Sequence, residues 1–263
     1  MAGDPTLPSQ DGGPAAANLA LLPPPQTMSL TVADVEDIGP SLRQIRLAGD
    51  ALRGFRFAPG QDLMLRLPRR EGDLVSRRYT IRRADPVQGL VDLNVVTHGD
   101  GPAAQWAAGA GPGRPLPEVV GPRGKITLDD PADWHLFVGD ETYIPGTLAM
   151  LEALPRRASA QAILELGDPA DEQPVLSPGQ AELRWLWRGA AEPGHAGLLL
   201  EAVDEIRLPR GRGHVYIAAE VSVAIALRDR LLARGLSRDQ VSAKGYWSRG
   251  RANASRGEPD PPV

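Results

Sequence analysis

Residues 76–82 read Ser76-Arg77-Arg78-Tyr79-Thr80-Ile81-Arg82, and the fold prediction starts from this stretch. Its aromatic and β-branched residues are typical of a strand. In a strand, Arg77 and Tyr79 point to one face and Arg78 and Thr80 to the other. A guanidinium and an aromatic ring on one face, beside a hydroxyl, suit a ligand that is planar at one end and anionic at the other. A flavin nucleotide has this shape. An ordinary strand with solvated arginines is the alternative that the stretch alone leaves open.

The composition predicts a soluble globular protein with a substantial core. Apolar residues make up 42% and charged residues 24% of 263 residues, enough for one large domain or two ordinary ones. The net charge of -4 gives no support for a nucleic-acid partner, and no apolar run is long enough to span a bilayer. The absence of cysteine excludes disulfides and thiol catalysis and fits a cytoplasmic location. The four histidines lack ligand spacing, so we predict no metal built into the protein.

The first half of the chain is predicted to form a small antiparallel β-barrel over residues 29–130. Short segments rich in strand-forming residues alternate there with turns such as Pro59-Gly60 and Asp85-Pro86. Many short strands with regular turn signals are typical of such a barrel. The candidate strands are 29–36, 42–48, 62–67, 77–83, 90–98 and 115–120. Residues 1–28, rich in Pro, Gly and Ala, are expected to be a disordered tail without a secretory signal.

One helix interrupts the barrel pattern after the strand that ends at Thr97-His98. The turn Gly99-Asp100-Gly101-Pro102 leads into a helical run that contains Trp106. Glycine lets the backbone turn, and proline is favoured in a first helical turn. Because free N–H groups at a helix N-terminus bind anions, we expect this turn to receive a pyrophosphate whose other side meets Arg77. A helix that merely closes the barrel, with Trp106 in the core, is compatible with this interpretation.

The second half, residues 131–250, alternates strands with helices, which predicts an open parallel sheet with helices on its faces. Strands are expected at 136–138, 162–166, 183–187, 215–219 and 241–246. Helices are expected at 147–154, 198–206 and 222–234, the last with Ser222 as its N-cap. Such sheets bind ligands beyond the carboxyl ends of their strands, which here lie at 139–142, 167–168, 219–220 and 245–247. Residues 251–263 are expected to be loose.

Six stretches in a fixed order make the chain resemble the siderophore-interacting protein family, within the ferredoxin-reductase-like superfamily. They are Arg77-Arg78-Tyr79-Thr80-Ile81-Arg82, His98-Gly99-Asp100-Gly101-Pro102-Ala103, Gly121-Pro122-Arg123-Gly124, Val138-Gly139-Asp140-Glu141-Thr142, Asp171-Glu172-Gln173-Pro174 and Gly245-Tyr246-Trp247. The resemblance implies an FAD-binding barrel, an NAD(P)H-binding domain and the activity of an FAD-dependent ferric-siderophore reductase. In that reaction, NADPH or NADH reduces FAD, and single electrons then reduce chelated Fe(III), which leaves the siderophore as Fe(II).

The resemblance also implies roles for individual residues. Tyr79 would lie against the isoalloxazine ring and Thr80 would bond near its reactive nitrogen, which makes these two the catalytic candidates. Glu141 would contact ribose hydroxyls, whereas Asp140 or Thr142 would cap the following helix. The expected cofactor-binding residues are Arg77, Tyr79, Thr80, Thr97, His98, Gly101, Pro102, Ala103, Ala104, Gly139, Asp140, Glu141, Thr142 and Trp247.

Basic residues near the flavin edge are expected to bind the ferric siderophore, because such chelates are often anionic. The substrate-binding candidates are Lys125, Lys244 and Arg249. For each of them, a solvated surface charge is the alternative. Trp247 either stacks over the flavin or packs between the domains.

Two departures from the family pattern fall on the pyridine-nucleotide side. The family usually has a small apolar residue at the position of Tyr143 and a glycine at that of Ala219, where backbone approaches a pyrophosphate. The FAD side is nearly intact, although the family often has Ser-Arg, or another small residue followed by Arg, where this chain has Ala104-Gln105. Alternatives therefore stay open: an FAD-binding relative with an altered NAD(P)H site, fed by a protein donor or acting on another small molecule, as in natural-product biosynthesis or a redox-neutral reaction. A non-catalytic siderophore-binding protein is the other alternative.

Overall fold

The computed structural model describes residues 22–68, 74–97, 99, 101–128 and 131–249. The first half forms a closed antiparallel barrel with strand order β1-β2-β5-β4-β3-β6. The strands are β1 (Gln26–Asp37), β2 (Leu42–Ala48), β3 (Asp62–Pro68), β4 (Leu74–Asp85), β5 (Leu90–Val96) and β6 (Pro115–Arg123). Helix α1 (Pro102–Ala108) connects β5 to β6. The predicted barrel is confirmed.

Alternating apolar side chains fill the barrel. In β3, Leu63, Leu65 and Leu67 are fully buried, whereas the residues between them are partly exposed, as the two-residue period of a strand requires. Trp106 of α1 packs against the same core. Strand β1 begins at Gln26, so the last residues of the predicted tail, 26–28, belong to this strand. Met28 is buried in the barrel core, because it continues the alternation of β1.

The second half forms a five-stranded parallel sheet with helices on both faces, as predicted. Its strands are β7 (Trp134–Gly139), β8 (Ser159–Leu166), β9 (Gln180–Trp187), β10 (Gly213–Glu220) and β11 (Val241–Trp247). Its helices are α2 (Ile144–Glu152), α3 (Gly197–Glu205) and α4 (Val221–Ala233). The order β11-β10-β7-β8-β9 reverses between β7 and β10, and doubly wound sheets bind ligands beyond such a reversal. Among the described residues, no helix combines the length and the apolar character needed to cross a membrane.

Two predicted helix starts are wrong. Helix α2 begins at Ile144 rather than at 147, because Pro145 fits a first helical turn. Helix α4 has Glu220, not Ser222, as its N-cap. The Glu220 carboxylate accepts hydrogen bonds from the backbone N–H groups of Ser222 at 2.6 Å and of Val223 at 3.2 Å. The longer glutamate side chain reaches back over the first turn, so Ser222 lies inside the helix.

The two faces of the sheet pack differently. On one face, Val138 and Ile217 pack beneath α3 and α4. On the other face, Phe137 and Tyr216 pack against Met150 of α2. Helix α2 in turn contacts strand β4 of the barrel. The second face is therefore the one that borders the barrel.

Buried polar contacts join the barrel to the sheet. Arg82 of β4 is 7% exposed and donates hydrogen bonds to both carboxylate oxygens of Glu152, at 2.6 and 2.8 Å. Leu42 of β2 packs into an apolar cluster with Ile144 and Leu148 of α2. These contacts hold the outer face of β4, which carries Thr80, against the second half of the chain.

Candidate functional site

Strand β4 directs the two catalytic candidates to opposite faces. Tyr79 packs on the barrel core, with its ring 6.1 Å from that of Trp106. Its hydroxyl is buried and has no hydrogen-bond partner among the described residues. Burial raises the pKa of Tyr79, so the hydroxyl stays neutral. A buried hydroxyl without a partner costs free energy unless a ligand accepts its hydrogen bond, so Tyr79 fits a cofactor contact.

Thr80 faces the second half of the chain and is 5% exposed. Its Oγ1 lies 3.2 Å from the hydroxyl of Tyr246 in β11. Burial raises the pKa of Tyr246 to about 12, so this contact joins two neutral hydroxyls. Tyr246 was missing from the predicted site residues. The signal that pointed to it was its place in the Gly245-Tyr246-Trp247 stretch.

The turn before α1 is open to a ligand. Gly101 is the N-cap of α1, and no side chain among the described residues caps this helix. A Cβ atom added to Gly99 or Gly101 would meet no atom of the described residues within 4 Å, and Gly99 has a φ of 87° that favours glycine. Ala104 is buried, whereas Pro102 and Ala103 are partly exposed. The first-turn N–H groups are thus approachable from outside the barrel.

The other residues predicted to border the flavin show fewer features of a ligand-binding site. Thr97 is partly buried, and its backbone N–H donates to the carbonyl of Ser41 at 2.9 Å. Arg77 donates from Nη1 to the carbonyl of Ser76 at 2.8 Å. His98 lies outside the described residues. Tyr79 nevertheless packs against Trp106 of helix α1, whose first turn has no side-chain cap among the described residues. Together with Arg77 on the same strand, it fits a flavin nucleotide.

The turn after β7 is satisfied by its own carboxylate. Asp140 Oδ1 accepts from the backbone N–H of Thr142 at 3.0 Å and from its hydroxyl at 2.5 Å. Oδ2 accepts from the N–H of Glu220 at 3.0 Å and from Nε1 of Trp247 at 2.8 Å. Burial, and next the charge of Glu141, raise the pKa of Asp140 to about 6. Of the two predicted caps, Asp140 is therefore the one observed, and it caps the 3-10 turn Glu141–Tyr143 directly before α2. Trp247 is held across the ends of β7 and β10.

Glu141 points into the protein rather than towards solvent. Its two carboxylate oxygens accept hydrogen bonds from Arg188 at 2.6 and 2.7 Å, and both side chains are more than nine-tenths buried. Glu165 lies 3.6 Å from the same guanidinium. Burial raises the pKa of Glu165 to about 7, opposed by Arg188 and reinforced by Asp140 and Glu141. This pairing removes Glu141 from the expected contact with ribose hydroxyls, and sequence reasoning missed both Arg188 and Glu165.

Gly139 and Ala219 have protein neighbours in the structure, whereas the sequence placed both residues on the dinucleotide side of the site. A Cβ atom on Gly139 would collide with the carbonyl oxygen of Ala218 and lie 2.9 Å from Cδ1 of Tyr143, so glycine here admits protein neighbours. Ala219 is 0% exposed and packs with Val223 beneath α4. Strand alternation turns its methyl group into the core, so the burial of Ala219 gives no support to a contact between that methyl group and a dinucleotide.

Two of the three substrate-binding candidates lie near the Thr80–Tyr246 contact. Asp62, opposite Thr80 in the β3–β4 pairing, accepts from Arg78 at 2.8 Å and from Lys244 at 3.3 Å. The Cβ position of Gly124, which precedes the exposed Lys125, is 3.5 Å from Asp62 Oδ2. We call Arg78, Lys125 and Lys244 the cation group. Sequence reasoning missed Arg78 in it, although strand alternation already put Arg78 on the face of Thr80.

Arg249 lies elsewhere, at the far end of β11. Its backbone N–H donates to Glu220 at 3.3 Å, and its guanidinium lies 2.8 Å from Nε2 of His195. These contacts place it beyond the carboxyl end of β10. The three predicted substrate residues are therefore divided between two places.

The closed barrel followed by the doubly wound parallel sheet is a ferredoxin-reductase-like fold. A ferredoxin NADP+ reductase from Neisseria gonorrhoeae, solved with bound FAD and NADP, has the same fold. The TM-score is 0.64 at 16% identity, and the match covers 84% of this chain and 99% of that one.

Closer relatives narrow the class to one family. Residues 132–250 match the model of the siderophore-interacting protein family, and residues 64–126 match the model of the siderophore-interacting FAD-binding domain. Ferric vibriobactin reductase ViuB of Vibrio cholerae is 32% identical over 238 residues, which cover 81% of this chain and 86% of the relative. A siderophore utilization protein from T. fusca is 33% identical with a TM-score of 0.81, over 88% of this chain and 96% of that one. This chain belongs to the siderophore-interacting protein family, as its sequence predicted.

Proposed function

We propose that this chain is an FAD-dependent ferric-siderophore reductase with NADPH or NADH as the electron donor. Bound FAD would accept two electrons together and release them singly, which the reduction of Fe(III) requires. The observation that carries the proposal is the position of the cation group beside the Thr80–Tyr246 contact, at the junction of barrel and sheet. Similarity to a protein named ferric vibriobactin reductase supports the same reaction.

The residues on the two faces of β4 would have different functions. Tyr79, Arg77 and the first turn of α1 would bind and orient FAD from the barrel side. Thr80 would offer its hydroxyl at the reactive edge of the flavin. Arg78 and Lys244 both pair with Asp62, and the exposed Lys125 follows nearby in the chain, so the cation group would attract an anionic chelate to that edge.

The test is an anaerobic titration of the purified protein. Its visible spectrum reports bound flavin, and NADPH and NADH are then added separately while the oxidised flavin band is followed. A ferric catecholate is added next, with ferrozine present to trap and report Fe(II). We expect the band to bleach with at least one nucleotide, and Fe(II) to appear as the band returns.

Each stage of the titration contradicts a different part of the proposal. Protein that binds no FAD would overturn it entirely. A flavin band that stays oxidised under an excess of both nucleotides would exclude them as donors. Bleaching without Fe(II) release would exclude the ferric chelate as acceptor.

A flavoprotein reduced by a protein donor is the second candidate, and the turn after β7 favours it. A dinucleotide pyrophosphate at the β7–β10 reversal needs free N–H groups, but those of Thr142 and Glu220 already bind Asp140. This candidate would be supported if NADPH and NADH leave the flavin oxidised and a ferredoxin system reduces it. Bleaching by either nucleotide would exclude it.

A further inference from the structure

Tyr143 is a buried aromatic residue that the function proposed above does not yet use. It is 1% exposed and serves as the N-cap of α2, at the end of the turn that follows β7. Its hydroxyl is buried and has no hydrogen-bond partner in the part of the chain that the structure describes. The ring, rather than the hydroxyl, is therefore what its neighbours contact.

The ring of Tyr143 supports Tyr246. The two ring centroids are 5.7 Å apart and the planes make an angle of 80°, so one ring presents its edge to the other. Such edge-to-face pairs are attractive and directional. The hydroxyl of Tyr246 is meanwhile bound to Thr80 across the domain junction. Tyr246 is thus held at its ring by Tyr143 and at its hydroxyl by the barrel.

The backbone around Tyr143 is shaped to admit its ring. A Cβ atom on Gly146 would lie 2.9 Å from Cε2 of Tyr143 and 3.3 Å from Cγ2 of Thr80. A Cβ atom on Gly139 would lie 2.9 Å from Cδ1 of Tyr143. Two glycines therefore leave the space that the ring fills, and the ring comes close to the residue predicted at the reactive edge of the flavin.

We propose that Tyr143 is a positioning residue that holds Tyr246 over Thr80 and thereby limits the approach of the nicotinamide ring of the donor. The proposal rests on the proposed function, because it assigns Tyr143 to the donor side of that reaction. The proposal predicts different effects on the two half-reactions, flavin reduction by the nucleotide and flavin reoxidation by the ferric chelate. Loss of the Tyr143 ring frees Tyr246 to move and changes reduction by the nucleotide. Lys244 of the cation group lies over the Tyr246 ring, 5.3 Å from its centroid, but it is also held by Asp62 at 3.3 Å, so we expect the site of the ferric chelate to persist.

The test compares Tyr143→Ala, which removes the ring, with Tyr143→Phe, which keeps the ring and loses only the unpartnered hydroxyl. Anaerobic stopped-flow measurements follow flavin reduction by NADPH and NADH, and reoxidation by a ferric catecholate separately. We expect Tyr143→Ala to lower the half-saturating nucleotide concentration about tenfold, a change of about 1.4 kcal/mol, with reoxidation unchanged. Tyr143→Phe should match the wild type.

Equilibrium binding measurements distinguish the positioning role of Tyr143 from a purely structural role. FAD affinity, from fluorescence titration of the apoprotein, should be the same in the wild type and both variants, and oxidised nucleotide should bind more tightly to Tyr143→Ala. In a Tyr246→Ala background, removal of the Tyr143 ring should have no further effect. If Tyr143→Ala does not fold, Tyr143→Leu replaces it, because leucine fills the core without an aromatic edge.

Two results would overturn the proposal. One is an unchanged half-saturating nucleotide concentration in the variant without the ring. The other is an equal change in reduction and reoxidation, which would indicate a general loss of structure. A wild-type protein that neither nucleotide bleaches would contradict the donor of the proposed function instead, so the two failures are told apart.

Discussion

At the scale of single residues, strand β4 shows how alternation divides the candidate site. Arg77 and Tyr79 lie towards the barrel and its helix, whereas Arg78, Thr80 and Arg82 lie towards the second half of the chain. The first pair suits the cofactor, and the second set contacts Asp62, Tyr246 and Glu152. The same alternation in β10 buries Ala219 and removes it from the site.

Arg77 is expected to hold the pyrophosphate of FAD. Substitution Arg77→Ala should weaken FAD binding by roughly 1.5–3 kcal/mol, or about 10- to 150-fold, because hydrogen bonds to a charged group are lost. The measurement is the dissociation constant of FAD from the apoprotein. Arg83→Ala, which changes a mostly exposed arginine of the same strand, is the control. Full flavin retention by the Arg77 variant would show that the pyrophosphate lies elsewhere.

Ala219 is expected to matter for stability and not for the nucleotide. Ala219→Gly should reduce the free energy of unfolding by about 1 kcal/mol, because glycine in a strand gains more backbone entropy on unfolding and leaves the core without a methyl group. The KM for NADPH or NADH should be unchanged. Denaturant unfolding and steady-state kinetics measure the two quantities. A lower KM would return Ala219 to the dinucleotide site.

Glu165 makes the stability of the protein depend on pH. Its pKa is raised to about 7 in the folded protein, against 4.5 unfolded, chiefly by burial. A raised carboxyl pKa means that the folded state binds the proton more tightly, so this group lowers stability as pH rises from about 4.5 to 7. Glu165→Gln should therefore raise Tm by about 2–4 °C at pH 8, where the charge is present.

The same substitution should change Tm little at pH 5, because folded Glu165 is then protonated and neutral like glutamine. Thermal unfolding at the two pH values measures the difference. Arg188 keeps its bidentate partner Glu141 in this variant, so no buried charge loses its partner. A lower Tm at pH 8 would mean that the Glu165 charge stabilises Arg188 by more than its burial costs.

At the scale of elements, helix α2 connects the sheet to the barrel. Its N-cap residue, Tyr143, presents its ring to Tyr246, and its last residue, Glu152, binds Arg82 and Arg83. Arg82 is buried in this contact and Arg83 is mostly exposed. Burial by itself raises the pKa of Glu152, but the hydrogen bonds from the two arginines outweigh it and hold the pKa below its usual value.

Arg82 and Arg83 form a matched pair for testing this junction. Arg82→Ala should cost about 3 kcal/mol of stability, because it removes one partner of a buried ion pair. Arg83→Ala should cost less than about 1 kcal/mol, because exposed ion pairs contribute little. Urea unfolding at pH 7 measures both values. Equal losses of stability would mean that the buried and the exposed arginine contribute equally through their contacts with Glu152.

At the scale of the whole molecule, strand β11 connects the two predicted binding regions. Lys244 and Tyr246 contact Asp62 and Thr80 of the barrel, whereas Trp247 contacts Asp140 at the carboxyl end of β7. A bulge between β10 and β11 at this point shifts the register by one residue. Tyr246 and Trp247 can therefore serve different regions although they are adjacent in the chain.

The barrel, the parallel sheet, their order and the family could all be predicted from the sequence, because periodicity, turn residues and short motifs are local properties of the chain. It also predicted the cap by Asp140, which needs only neighbouring residues. The tertiary structure decided which side chains meet across long separations: Thr80 with Tyr246, Arg188 with Glu141, and Lys244 with Asp62. It also decided that Ala219 faces the core and that Arg249 lies apart from the other cations. These outcomes depend on how a strand of one domain packs against the other, and no local pattern encodes that packing.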